Sequence, residues 1–348
     1  MAIGIIEGAF SACLIPAIGV YGAITLYTKN KIDKKMNLNL QHLNPYEQQR
    51  YYISNSSDIA NKYNTIPIYT HIDYTGKELV RPYMEQLVKH LGSDIRLASK
   101  NFSTLKLEKT KDIGMTGATG TYNGCKNIIK YVKDYPTLLG HEMLHMASYM
   151  YNEQTKVHHN GFMQTRGEAI IGRGLNEGYT ELLTGRLFNN GVTTTYPRLV
   201  RIVKLLEEFF PNPQMMSHYY FTCDLPAFIH HLSKYCSVKE AKEIVMGLDE
   251  LFHYEYTLDS PVAAIKEVQL STKIYTIYER NFSTQPAKVK EFKTKAGENK
   301  LTALAISGRN FKLQRQNTFT TIKTGVKNCF TKVKNIFKGK TPQPAYTR

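Results

Sequence analysis

The run LLGHEMLHMAS (138–148) is the tightest constraint in this 348-residue chain. Pro136 stands where a first helical residue would, and no breaker occurs until well past His145, so the run reads as a helix. It is mostly apolar, yet it carries His141, Glu142 and His145. A buried helix tolerates two imidazoles only if something satisfies them. At i and i+4 they share one face and can close on a single metal ion. Glu142 lies one position round, near the open side of such an ion, where it can take a proton from bound water. Zinc lowers the pKa of that water towards neutrality. The motif alone leaves a second reading, two histidines satisfied within a buried helix, and it supplies no third ligand.

The metzincin extension needs glycine at 148 and histidine at 151. Ser148 and Tyr151 stand there, which excludes it. Further on, GLNEGYTELLTGRLF (174–188) contains Asn176-Glu177-Gly178-Tyr179-Thr180-Glu181. Glu177 and Glu181 are one turn apart on one face, and such a pair repels by a few tenths of a kcal/mol unless a cation lies nearby. Leu175, Leu182, Leu183 and Leu187 make this helix too apolar for free exposure.

Together the HEMLH and NEGYTE motifs resemble the paired signatures of the gluzincins, the thermolysin-like clan of zinc metallopeptidases. The resemblance covers the two motifs and the order of the halves, about residues 65–280. It implies Glu177 as the third ligand of one zinc ion per chain, with Glu142 as catalytic base. It implies Glu181 as hydrogen-bond partner of the remaining ring nitrogen of His141. It also implies a peptide or protein substrate held along an upstream edge strand, and an oxyanion donor from the helical half. NIIKYV (127–132) is the strand expected. Among His218, Tyr219, Tyr220, His230 and His231, Tyr219 is the preferred donor. The aminopeptidase branch carries an acidic residue beside the strand. GMTGATGTYNG (114–124), read as a turn, has none, which points to an endopeptidase. The interval between His145 and Glu177, 31 residues, is longer than in thermolysin itself. His158 and His159, in the loop-like insert 149–173, are rival ligands. A binding protein that keeps the fold without turnover, and a zinc amidohydrolase acting on a non-peptide amide, are the alternatives.

The formal net charge of +16 is unevenly spread. Phe282–Arg348 holds 15 Lys/Arg and 2 Asp/Glu, a net +13, which leaves +3 for everything before it. The body is therefore near neutral, and no specific nucleic-acid partner is expected. Within 322–338, Ile322, Val326, Phe330, Val333 and Phe337 recur at helical spacing among Lys323, Lys327, Lys332, Lys334 and Lys338. That is a basic amphipathic helix suited to an anionic membrane surface, with a solubilising tail as the alternative. Gly8 to Thr28 is free of charge and followed by Lys29, Lys31, Lys34 and Lys35. Length and flank predict a membrane anchor with the catalytic body on the cytoplasmic side; a soluble cytoplasmic protein is the alternative. Five scattered cysteines without CxxC spacing argue against a disulfide framework.

The expected fold is α+β and zincin-like. An N-terminal α/β subdomain with a mixed sheet and the active-site helix is followed by an all-helical subdomain. The divisions fall at 1–35 (apolar segment and basic flank), 36–190 (both zinc motifs), 191–282 (helical) and 283–348 (basic tail). IPIYTHI (66–72) and FSTLKL (102–107) read as strands, and Thr75 as the cap of a helix running to His90.

Overall fold

The computed structural model describes residues 55–67, 71–111, 120–132, 139–188, 191, 195–257 and 261–299. The apolar run 8–28, its lysine flank and the stretch 322–338 lie outside them. Among the described residues no helix is long and apolar enough to cross a membrane. The chain is α+β and mostly helical, with one small mixed sheet and one small antiparallel sheet.

Among the described residues three helices come first: α1 (Asn55–Asn64), α2 (Arg81–Leu91) and α3 (Arg96–Ser103). Thr75 does not open α2. Asp73 Oδ1 accepts the Thr75 N–H and Gly76 takes a φ of +72°, closing a turn. Pro82 in the first turn of α2 then sets its start at Arg81. Of the IPIYTHI run, the described residues are irregular. In FSTLKL, Phe102 and Ser103 close α3, and only Lys106 and Leu107 enter a strand.

That strand, β1 (Lys106–Thr110), belongs to a sheet with β2 (Gly120–Asn123) and β3 (Ile128–Val132), in the order β1-β3-β2. β3 runs parallel to β1 and antiparallel to β2. The NIIKYV strand is therefore paired along both edges and cannot be the open edge the family resemblance calls for. Its adjacent buried isoleucines, Ile128 and Ile129, suit a middle strand covered on both faces. Among the described residues the outer strands are β1 and β2, and β2 is the end of the glycine-rich stretch that reads as a turn.

α4 (Leu139–Ala147) carries the HEMLH motif and is buried at every position. The insert after it is not a loop. It is an antiparallel meander of β4 (Tyr149–Asn152), β5 (Val157–Asn160), β6 (Met163–Arg166) and β7 (Ala169–Ile171). Met150, His159, Gln164 and Ile171 are cross-strand neighbours on its buried face, and Tyr151, His158, Thr165 and Ile170 lie on the other.

α5 (Arg173–Phe188) carries the second motif and packs against α4, α6 (Pro197–Glu207) and α9 (Val238–Thr257). Two glycines permit this. A Cβ on Gly174 would stand 2.0 Å from the Leu248 carbonyl oxygen, and one on Gly178 would stand 2.9 Å from Leu199 Cβ. The helical half is completed by α7 (Pro213–Phe221), α8 (Leu225–Leu232) and α10 (Pro261–Phe282). Side-chain caps mark the heads of two of its helices. Asp224 accepts the Ala227 N–H at the head of α8, and Ser237 and Glu240 exchange capping-box bonds at the head of α9. Buried Glu267 of α10 takes Arg198 and Arg201 of α6. A further helix, α11 (286–299), lays Phe292 on Tyr278 with ring centroids 3.9 Å apart. Part of the basic segment is thus packed on the body.

Candidate metal centre

His141 and His145 leave α4 on the face that meets α5, and Glu177 of α5 meets them there. His141 Nε2 and His145 Nε2 are 3.0 Å apart. Glu177 Oε2 stands 3.3 Å from the first and 3.6 Å from the second. Two ligands about 2.05 Å from a tetrahedral ion lie about 3.3 Å from each other. The three observed separations scatter around that edge length, so the donor atoms fit one ion.

The far sides of both rings are fastened. Glu181 Oε2 lies 3.3 Å from His141 Nδ1, and Asn160 Oδ1 lies 3.0 Å from His145 Nδ1. A carboxylate and an amide oxygen can only accept, so each Nδ1 is a donor and each Nε2 faces the shared space. Glu181 is itself held, by the Thr195 N–H at 2.9 Å and the Thr195 hydroxyl at 2.6 Å. Asn176 accepts the Phe162 N–H at 3.2 Å, tying the β5–β6 turn to α5. Thr180 lies between the two glutamates of the motif and shares a 2.7 Å hydrogen bond with the hydroxyl of Tyr220.

The electrostatics are those of a site short of positive charge. Burial opposes a charge on His141, but its hydrogen bonds to Glu177 and Glu181 outweigh this and raise its pKa to about 10. Burial also works against the Glu177 carboxylate. The His145 charge and the hydrogen bond from His141 prevail and hold its pKa well below the ordinary value. Glu142, buried beside them, is raised by burial against the pull of both histidines, and a backbone hydrogen bond from Tyr122 of β2 opposes the rise. A Cβ added to Gly120 would stand 3.0 Å from Glu142 Cγ, so β2 runs directly along this glutamate. Glutamates 142 and 181 are thus buried, and Glu177 largely so, together with two imidazoles. Burying charge on that scale is costly without a cation.

The structure brings His141, His145, Glu177, Glu181 and Glu142 together. The Tyr219 ring lies against Phe210 and His231. His231 is stacked on Phe210 and within 3.3 Å of the Phe209 carbonyl, and His230 is exposed at the end of α8. Neither rival histidine enters the group. His158 stacks on Tyr151 on the outer face of the meander, and His159 is buried on the opposite face. Two contributors have no signal in the motifs, Asn160 from β5 and Thr195 ahead of α6. A lone asparagine or threonine at no fixed spacing from the histidines gives a sequence nothing to mark it by.

Fold and site define an α+β protein in which two packed helices present a His-His-Glu group with the atoms and spacing to hold a metal ion. Comparison of the chain with protein-family models, with curated proteins and with solved structures returned no match.

Proposed function

We propose that this protein is a zinc-dependent peptidase of gluzincin type, with His141, His145 and Glu177 as zinc ligands and Glu142 as general base. The observation that carries the reading is the set of three ligand separations around the tetrahedral edge, 3.0, 3.3 and 3.6 Å, on the HExxH helix and its partner. Two imidazoles and one carboxylate are the donor set of catalytic zinc sites, which keep a fourth position open. Zinc held there supplies a Lewis acid for a carbonyl oxygen and lowers the pKa of water towards neutrality. The chain's own part is positional. Glu181 and Asn160 keep the imidazoles turned inward. Buried Glu142, whose pKa burial raises and whose carboxylate is thereby a stronger base, accepts the proton of the attacking water and can return it to the leaving amine. β2, the outer strand along Glu142, offers the backbone on which an extended peptide can lie. Its residues, Gly120–Asn123, include no carboxylate to bind a free amine, which favours an endopeptidase.

The test is metal analysis and peptide-library cleavage on the full chain and on Glu142→Gln. One zinc per chain is expected in both, with turnover about a thousandfold lower in the variant. Wild-type rates in Glu142→Gln would overturn the mechanism.

A further inference from the structure

We propose that Thr195 is a positioning residue for His141, aimed by a strained backbone at Tyr196; this rests on the reading of His141 as a metal ligand. Thr195 gives both of its donors to one carboxylate. Its N–H reaches Glu181 Oε1 at 2.9 Å and its hydroxyl reaches Glu181 Oε2 at 2.6 Å. The same Oε2 lies 3.3 Å from His141 Nδ1. Each oxygen of Glu181 thereby has a Thr195 donor, so the carboxylate plane is held and the imidazole with it.

The next residue shows that this geometry is imposed. Tyr196 has φ +50° and ψ 44°, the left-handed region, immediately before Pro197. A bulky L-residue avoids that region, and a following proline disfavours helical conformations further. Strain of this kind persists only where the surroundings over-determine it. Capping does not account for it, because Tyr196 is the N-cap of α6 and provides no side-chain capping bond. What the conformation achieves is directional. It turns the Thr195 donors onto Glu181 and sets the Tyr196 ring centroid 6.1 Å from that of His141 and 5.7 Å from that of Phe252. The Thr195–Tyr196 pair thus reaches His141 through Glu181 and through ring contact.

The experiment uses the full chain with Co2+ as spectroscopic probe, and compares wild type, Thr195→Val, Thr195→Ser and His141→Ala. Affinity is read by chelator competition, and coordination by the visible absorption of the cobalt form. Unfolding of the metal-free proteins reports integrity of the fold. Thr195→Val should bind Co2+ about tenfold more weakly than wild type and show an altered visible spectrum. Thr195→Ser, which restores the hydroxyl, should recover both. Wild-type affinity and spectrum in Thr195→Val would overturn the inference and leave the metal site standing, provided that His141→Ala abolishes binding. A loss in Thr195→Val that serine does not recover, or that accompanies unfolding of the metal-free protein, would also overturn it, since packing would then be the cause. Unchanged binding in His141→Ala would sink the metal-site reading itself.

Discussion

His141 and His145 look alike in the sequence and are held by different chemistry. Behind His141 stands a carboxylate already bonded to Thr195, and behind His145 stands a neutral amide at 3.0 Å. A charged acceptor makes its imidazole the more basic ligand, and hydrogen bonds to ions are about twice as strong as neutral ones. Among the described residues Glu177 has no substitute, because it is the one carboxylate there whose oxygen approaches both Nε2 atoms. Glu177→Ala should therefore abolish stoichiometric metal binding. Asn160→Ala and Glu181→Ala should weaken it about 10–100-fold, with the larger loss in Glu181→Ala. Competition against a chromophoric chelator measures all three. Full occupancy in Glu177→Ala would remove it from the ligand set.

At the scale of elements, the site depends on how closely α5 lies to its neighbours. Asp249 of α9 accepts the N–H groups of Gly172 and Gly174 at 2.8 Å each, which satisfies donors at the head of α5. Gly174 makes this approach possible, since a Cβ there would stand 2.0 Å from a backbone oxygen that cannot rotate away. Gly174→Ala should lower the unfolding free energy by about 3 kcal/mol, because α5 and α9 must part. Gly297, on α11, has nothing within 4 Å of its would-be Cβ. Gly297→Ala should leave stability unchanged or raise it by up to about 1 kcal/mol. Denaturant titration of the metal-free variants decides; equal effects at the two positions would contradict the packing account. The meander β4–β7 shows why the sequence misses some elements. Strands of three or four residues are too short to display an alternating pattern, and pairing with neighbours makes them strands. The capping box at Ser237 and Glu240 is legible because its bonds span only three residues.

For the molecule as a whole, two buried groups tie stability to pH in opposite directions. Burial, aided by the neighbouring His158, depresses His159 from 6.5 to about 4. Its folded-state pKa lies below the unfolded one. The associated stability is therefore complete above pH 6.5 and lost as pH falls towards 4. Burial pushes Asp249 from 3.8 up to about 7 despite its backbone hydrogen bonds, so its contribution is complete below pH 3.8 and lost as pH rises towards 7. The two slopes offset each other in the wild type, which makes a difference measurement necessary. Relative to wild type, His159→Leu should gain stability as pH falls from 6.5 to 4, by at most about 3 kcal/mol. A constant difference across that range, followed by urea unfolding, would show that His159 is not held neutral by the fold.

What the sequence by itself determines here is local. The i, i+4 spacing puts His141 and His145 on one helical face and Glu177 and Glu181 on another, and proline and side-chain caps mark the heads of helices in the C-terminal half. These follow from helix geometry and short-range hydrogen bonding, which need only neighbouring residues. The tertiary structure alone decides which strand lies open beside Glu142, because an edge is a property of a whole sheet. It alone brings Asn160 and Thr195 behind the two imidazoles. Those contacts are made by residues 15 positions after His145 and 14 after Glu181, set by long-range packing rather than by any repeat in the chain.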